Sequence, residues 1–401
     1  MNEKNPYICT TKQHVMINRK LRMGMVGGGG NAMIGPIHLR AALMENDIEL
    51  VCGCFSRNYE TSLATGRAWH VQRIYRDYRE MMEREAALPA DERMDFVAIV
   101  TPNKVHYEQA DLALDMGFDV VLDKPMTFSL DEALRLRDKV NQTGRTFALT
   151  HTYSAYPAVK EMKARIQAGE LGRLRLVDVE YIQGWLSQRI ELQGGNNAGW
   201  RTDPALSGKG GCVGDIGTHA WHLSEYITGE HVTELCAELS TFVEGRPIDD
   251  DAVALLHFTN DLHGVLHATQ VATGEENRIS IRVSGEKGTF EWQQMEPNTL
   301  IIRWADRPAE IIRTGNGYMS GLAKWNTRTP GGHPEGYIEA FANIYRNFVA
   351  TVRAKAEGRT PTPEELDFPN VIDGLRGLQF IETMVKAGYD RDKKWVKWVE
   401  E

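Results

Sequence analysis

Apolar and polar positions divide the chain into two textures. In the first, mainly apolar runs at residues 21–26, 48–55, 96–100, 119–122 and 146–149 alternate with stretches of helical character at 36–43, 58–68, 107–116 and 130–140. Runs of that kind predict strands buried on both faces, and strand following helix over about 130 residues predicts a parallel, doubly wound sheet. The charged interval 86–93, which carries Pro89, reads as a surface loop. Beyond His151 the texture changes. Residues 156–168 form an amphipathic helical pattern, and strand-like runs follow at 174–185, 232–242, 252–258, 264–271, 278–284 and 288–292. Successive strands without intervening helices predict an α+β domain with a largely antiparallel open sheet. A helix at 338–356 carries the stripe Phe341, Ile344, Tyr345 and Phe348, expected in the core. The tail, with Trp395 and Trp398 among lysines, is expected to pack back onto the first domain or onto another subunit.

With 401 residues, 42% of them apolar, the chain can fill two cores of ordinary size. A formal charge of -9 and the lack of any dense Lys/Arg block exclude a phosphate-tracking surface, so nucleic acid is not an expected partner. The five cysteines, Cys9, Cys52, Cys54, Cys212 and Cys236, contain no Cys-x-x-Cys pair and indicate neither a disulfide framework nor a zinc ribbon. Residues 1–20 lack a signal-type apolar run and read as an arm. No later segment reads as a membrane span, and a cytoplasmic location is the expectation.

Candidate chemistry gathers at strand ends, where open α/β sheets hold their ligands. The run Gly27-Gly28-Gly29-Gly30-Asn31-Ala32-Met33-Ile34-Gly35 follows the first strand and opens a helix. It is a candidate dinucleotide loop, with Gly27, Gly29, Asn31, Ala32 and Ile34 facing the cofactor. The second strand ends in Ser56 and Arg57 where a site selective for NAD usually carries a carboxylate. This favours NADP, while an arginine lying flat on adenine keeps NAD open. Thr101, Pro102 and Asn103 form a loop able to line the nicotinamide ribose. His106 either joins that lining or faces the helix behind it, the second being favoured. Asp123-Lys124-Pro125 closes another strand. In the second half, Trp200 and Arg201 precede a glycine-rich turn that leads to Asp215, His219 and His222. Asp215 and His219, four residues apart, share one face of a helix that begins near Gly214, which sets a carboxylate and an imidazole against one substrate. Asp, His and His at these offsets match no strong zinc motif, and no metal is expected. Each signal alone has an ordinary explanation: a glycine turn, a solvated loop lysine, an aspartate cap, a core histidine.

The ordered set is specific. A glycine-rich loop, Thr101-Pro102-Asn103 with His106, Lys124-Pro125, and Asp215-x-x-x-His219 after a glycine run resemble the Gfo/Idh/MocA oxidoreductases, the family of glucose-fructose oxidoreductase and inositol dehydrogenase. The likeness runs from Leu21 to about Val396. After the arm at 1–20, it implies an NAD(P)-binding Rossmann domain at 21–150 and a substrate domain at 151–401 whose sheet forms a homodimer or homotetramer interface. Lys124 would be the lysine of the family's Glu-Lys-Pro motif, with Asp123 in place of the glutamate beside the cofactor, and Asp215 and His219 its catalytic pair. The chain departs from the family in its longer phosphate loop, in Asp123, which keeps the charge but shortens its reach, and in His222, where many members carry an aspartate that contacts substrate.

The resemblance implies reversible oxidation of a secondary alcohol on a sugar, sugar derivative or cyclitol. His219 would take the hydroxyl proton, Lys124 hydrogen-bond the reacting oxygen, and Asp215 fix its neighbour. Tyr153, Trp185, Trp200, Arg201 and His333 suggest a polar ligand of carbohydrate size. Two rival functions use the same residues: an NAD-dependent glycosidase that oxidises transiently and eliminates the aglycone, and a non-catalytic, dinucleotide-responsive sugar sensor.

Overall fold

The structure is a computed structural model that describes residues 17–193, 196–390, 392 and 394–399. The first half forms six parallel strands, β1 Leu21–Gly27, β2 Ile48–Cys54, β3 Arg73–Ile74, β4 Phe96–Val100, β5 Asp119–Leu122 and β6 Phe147–Leu149, in the order β3-β2-β1-β4-β5-β6. Helices α1 Ile34–Leu43, α2 Tyr59–Ala68, α3 Tyr78–Ala87, α4 His106–Asp115 and α5 Leu130–Thr143 connect them. The strand order reverses between β1 and β4, which opens a crevice at their carboxyl ends.

The expected loop at 86–93 is shorter than the sequence suggested, because its first two residues end α3. That helix is mostly Glu and Arg on its exposed side and buries only Met81, Met82 and Glu85, so it shows little apolar period. Asp77 starts it by accepting the backbone N–H groups of Arg79 and Glu80.

The second half begins with α6 Pro157–Gln167 and β7 Leu174–Gln183, followed by the short helices α7 Asn196–Arg201 and α8 Pro204–Ser207. A π-helix, Val213–Gly217, then runs into α9 Thr218–Thr228. The strands β8 Val232–Ser240, β9 Asp251–Phe258, β10 His263–Thr269, β11 Asn277–Gly285, β12 Gly288–Gln293, β13 Thr299–Trp304 and β14 Glu310–Arg313 build a second sheet. All its pairs are antiparallel except β7 with β10. Helices α10 Gly321–Trp325, α11 Tyr337–Ala356 and α12 Val371–Gly388 follow, and β15 Val396–Lys397 is the last described strand. No described helix is long and apolar enough to cross a membrane.

The expected stripe on α11 is core, and the core it joins is that of the first sheet. Phe341, Ile344, Tyr345 and Phe348 cluster with Met23, Met25, Phe96, Ala98 and Val121, so this late helix covers one face of the early sheet. The tail does otherwise than expected. It packs on the second domain: β15 pairs with β8, and Trp398 lies against Trp221. Of the arm, residues 1–16, with Cys9, lie outside the described residues. Arg19 pairs with Asp95 at 2.6 Å, and its carbonyl accepts from Arg353.

Phe348 is fully buried, with its ring 5.0 Å from that of Phe96. Truncation to alanine removes the ring and leaves a cavity. Phe348→Ala is therefore expected to lower the unfolding free energy by about 3–5 kcal/mol, read from urea titration. A loss under about 1 kcal/mol would show that α11 is not needed to cover the sheet.

Candidate active site

The loop after β1 is shaped by close approach. Gly27 has φ +81°, and a Cβ there would lie 2.3 Å from the Val100 carbonyl oxygen. A Cβ on Gly35 would lie 1.9 Å from the Gly28 carbonyl oxygen, so only glycine lets α1 start directly on the loop. Gly29 N–H donates to the Phe55 carbonyl at 3.0 Å and ties the loop to the end of β2. The first turn of α1 holds no acidic residue, and no side chain caps it. Its N–H groups and the positive end of its dipole fit a pyrophosphate.

Around this cradle, Asn31 is exposed and Ala32 and Ile34 are half-buried. Ser56 Oγ accepts from Asn58 N–H at 3.1 Å, and Arg57 is exposed. Thr101 Oγ1 donates to Gln109 and Pro102 is exposed, while Asn103 is buried and donates through Nδ2 to the Ser207 carbonyl at 3.1 Å. His106 is fully buried, its ring nitrogens each 2.8 Å from the carbonyl oxygens of Pro125 and Thr101. It braces two strand-end loops against each other and leaves the cofactor-lining set.

At the end of β5, Asp123 Oδ1 accepts from Lys124 N–H at 2.9 Å and from Thr150 Oγ1 at 2.8 Å. Burial alone would raise this carboxyl, but His38, with Nε2 3.9 Å away, and Lys124 hold it well below the usual range. Lys124 Nζ donates to Asp215 Oδ1 at 2.9 Å and to the Asp215 main-chain oxygen. Gln270 Nε2 donates to Asp215 Oδ2 at 2.9 Å, and Arg201 Nε lies 3.4 Å from the same oxygen. Burial would raise Asp215 too, yet Lys124 and Arg201 keep it well below the usual carboxylate range. The Arg201 guanidinium also lies over the Trp200 ring.

The Asp215-to-His219 spacing is carried by the π-helix rather than by an α-helix from Gly214. Asp249 fixes its start by accepting Gly211 N–H at 2.7 Å and Val213 N–H at 2.8 Å. His219 lies on α9, 8% exposed, with the Tyr153 ring edge-on at 4.9 Å. Burial, then the Lys124 charge, push its imidazole well below the ordinary histidine range, so it is neutral near pH 7. Tyr153 shares a hydrogen bond with Tyr181, whose hydroxyl donates to Asn277.

Two expected substrate contacts stand apart from Lys124, Asp215 and His219, the first of them stacked on His151 behind that set. His222 is buried and aims Nε2 at Asp373 of α12, 3.5 Å away, while His333 is exposed on the turn before α11 and its ring bonds to nothing in the cluster among the described residues. Two residues unmarked in the sequence do join the cluster. Gln270 follows β10 and gave no signal. His151 follows β6, so the strand-end rule that singled out Lys124 would have found it; its Nδ1 lies 3.3 Å from His219 Nδ1. Among the described residues no group of three or more His, Cys, Asp or Glu could hold a metal ion.

A doubly wound sheet with a glycine cradle at its switch point, faced by a lysine–carboxylate–imidazole cluster from a second sheet domain, defines a dinucleotide-dependent oxidoreductase. The chain belongs to the GFO/IDH/MocA family: residues 21–151 match its NAD-binding Rossmann fold and residues 159–291 its C-terminal domain. The structure is similar to that of an inositol dehydrogenase homolog complexed with NAD+ from Azotobacter vinelandii, with 31% identity, TM-score 0.89, and coverage of 95% of this chain and 98% of the other. An oxidoreductase from Sinorhizobium meliloti is 37% identical, with TM-score 0.83 and coverage of 94% and 100%. The scyllo-inositol 2-dehydrogenase (NAD(+)) of Bacillus subtilis is 26% identical over 281 residues, 69% of this chain and 72% of that enzyme.

Gly35→Ala must push α1 off the loop. Dinucleotide affinity, measured by calorimetry, is expected to fall at least about tenfold, or about 1.4 kcal/mol. Unchanged affinity would show that the cofactor is not anchored at this helix start.

Proposed function

We propose that this enzyme oxidises, reversibly, a secondary alcohol on a polyhydroxylated ring, a sugar, sugar derivative or cyclitol, with NAD or NADP. The observation that carries the reading is the convergence of Lys124, Asp215 and His219 at the strand ends beside the glycine cradle. A bound nicotinamide dinucleotide would supply the hydride acceptor, and Gly27, Gly29 and the start of α1 would hold its pyrophosphate. Ser56 and Arg57, without a neighbouring carboxylate at the end of β2, suit a ribose 2'-phosphate and leave NAD usable.

His219 Nε2, neutral, accepts the hydroxyl proton. Lys124 has three N–H donors, and two point at Asp215. The third donates to the reacting oxygen and offsets charge that develops on it. Asp215, kept ionised, holds that ammonium in place. Its remaining lone pairs accept the adjacent hydroxyl, as expected from a carboxylate in this position. Tyr153, Trp200 and Arg201 line the ring's other faces.

The enzyme acts in the cytoplasm as a homodimer or homotetramer. Buried free thiols at Cys52, Cys54 and Cys212 suit a reducing compartment. The open face of the second sheet exposes Leu176, Val253, Leu255 and Val265 side by side, an apolar patch suited to self-association.

Nicotinamide absorbance on mixing the protein with NAD or NADP and a panel of sugars, glycosides, sugar acids and cyclitols tests the reaction. Net reduction is expected with one ring-polyol class. Lys124→Ala should lower kcat by about 100-fold or more with dinucleotide affinity nearly unchanged. Loss of both would make Lys124 a structural residue, and aglycone release without net reduction would replace the dehydrogenase reading by the glycosidase one.

The depressed imidazole sets the pH response. His219 works as a base only when neutral, so activity persists as pH falls until it passes the depressed value. The acidic limb of kcat/KM is expected below pH 6.5, the ordinary histidine value. A limb centred above that value would remove His219 as the base.

A further inference from the structure

We propose that His151 is a positioning residue that holds His219 in the tautomer able to act as a base and shares the proton His219 takes up, so that the two imidazoles work as one acid–base unit. The proposal rests on the oxidoreductase reading above and adds to it a residue outside the Lys124, Asp215 and His219 set.

Two imidazole nitrogens face each other here, Nδ1 of His151 and Nδ1 of His219, 3.3 Å apart, with ring planes at 89°. Both residues are buried, at 2% and 8% exposure. Nitrogens so placed need one proton between them, since two lone pairs repel and two N–H groups clash. When the proton belongs to His219, its Nδ1–H donates to His151 and its Nε2 carries the lone pair that a base needs. When it belongs to His151, His219 Nε2 carries hydrogen and can serve as the acid of the reverse reaction. The partner's tautomer therefore sets the direction in which His219 can move a proton.

The orientation of His151 is built. Its ring is stacked on that of His222, with centroids 4.4 Å apart and planes 12° apart, and His222 is anchored in turn by Asp373. Ser154 Oγ donates to the His151 carbonyl, and the preceding Thr150 holds Asp123. This gives a role to the histidine that stands where many family members carry an aspartate: it backs the ring behind the base.

The energetics favour a shared proton. His219 faces Lys124, Asp215, Asp123 and His222, with the Tyr153 and Tyr181 rings against it; His151 faces His222, His219 and Lys124. Burial and the cations push both imidazoles toward the neutral form. A lone His219 would be a poor proton acceptor in that field. Once His219 is protonated, its Nδ1–H bond to His151 becomes charge-assisted, and such bonds are roughly twice as strong as neutral ones. In the oxidative direction the substrate O–H bond breaks and an N–H bond forms at His219 Nε2. The Nδ1 proton shifts along its bond toward His151 Nδ1, and the carbinol C–H bond breaks, its hydride being the pair of electrons that a bound oxidised nicotinamide dinucleotide would accept. The pair holds one added proton until product departs, then yields it to solvent. The pair titrates as a unit, so its acidic limb belongs to both residues.

His151→Phe keeps a ring against His222 and removes the nitrogen; His151→Asn restores an acceptor near the Nδ1 position. For His151→Phe, kcat is expected to fall about 10- to 100-fold, part of the roughly 100- to 10,000-fold that general acid–base catalysis supplies. KM and dinucleotide affinity should stay within about threefold, and the acidic limb should move to lower pH. His151→Asn, whose amide oxygen can accept the Nδ1–H bond but cannot take the proton, should restore the tautomer and recover only part of kcat, with the acidic limb still below that of wild type. Nitrogen NMR of isotopically labelled imidazoles in the ligand-free protein gives a readout independent of turnover. His219 should be the Nδ1–H tautomer in wild type and His151→Asn, and should lose that preference in His151→Phe. A His151→Phe enzyme within about twofold of wild-type kcat, or equal losses in both variants with an unchanged His219 tautomer, would overturn the proposal. Should wild type turn over no ring polyol, the oxidoreductase reading fails instead, and the tautomer measurement alone decides the role of His151.

Discussion

The pairing of Lys124 with Asp215 is the contact on which the site depends. The two residues are 91 positions apart, one at the end of a strand in the first sheet and the other on a π-helix of the second half. Each side chain is under a fifth exposed, 15% for the lysine and 19% for the aspartate. A charge so withdrawn from water is costly unless a partner stands beside it, and breaking such a pair leaves the survivor uncompensated. The pair therefore holds the cleft between the two sheets at one width. It also sets the charge state of its neighbours, because a fixed ammonium at this point keeps Asp215 ionised and His219 neutral.

The pair is held from both sides by residues that never meet it through sequence. On the lysine side, Asp123 is tied by Thr150 and lies against His38, whose Nδ1 meets the Tyr345 hydroxyl of α11 at 2.8 Å. A helix near the end of the chain thus steadies the strand-end loop that carries the lysine. On the aspartate side, Asp249 clamps the turn that begins the π-helix. Burial pushes its own carboxyl up to about 6, against backbone N–H bonds, those of Gly211 and Val213 among them, that pull it down. Gln270, from the end of β10, completes the ring of donors around Asp215.

Much of this frame was legible in the sequence where burial imposes a pattern. Strands β4 and β5 are buried on both faces and, apart from Asp119, consist of apolar residues, so their expected bounds coincide with the observed ones. Helix α3 buries a glutamate, Glu85, satisfied by Arg73 and Tyr75, and such a pairing has no signature in hydropathy. Strands β13 and β14 and helix α12 were unread. The strand β15 was read only as a tail packing on the first domain or on another subunit, because two residues pairing with an edge carry too little pattern. Within the site, Lys124, Asp215 and His219 stood out because proline, glycine and regular spacing framed them. His151 and Gln270 are single residues after strands, and what gives them meaning is a partner far away in the chain. His222 shows the reverse: spacing put it against the substrate, but its ring stacks on His151 and its Nε2 lies 3.5 Å from an aspartate of α12.

The π-helix explains how one aspartate can occupy so much of a lysine. Winding with an i→i+5 repeat, seen in the Thr218 N–H bond to the Val213 carbonyl, widens the helix at Asp215 relative to an α-helix. Lys124 reaches both the side chain and the main-chain oxygen of that residue. An ammonium bound by one carboxylate oxygen could swing on its four-carbon stem; bound by two acceptors on a single residue, it has one rotational setting. Its third N–H then has a fixed direction. For a reaction in which charge develops on one oxygen, a donor already aimed costs no reorganisation when that charge appears. A regular α-helix through Asp215 would offer the same carboxylate in a narrower turn, and the bulge is the feature that converts an ion pair into an aimed donor.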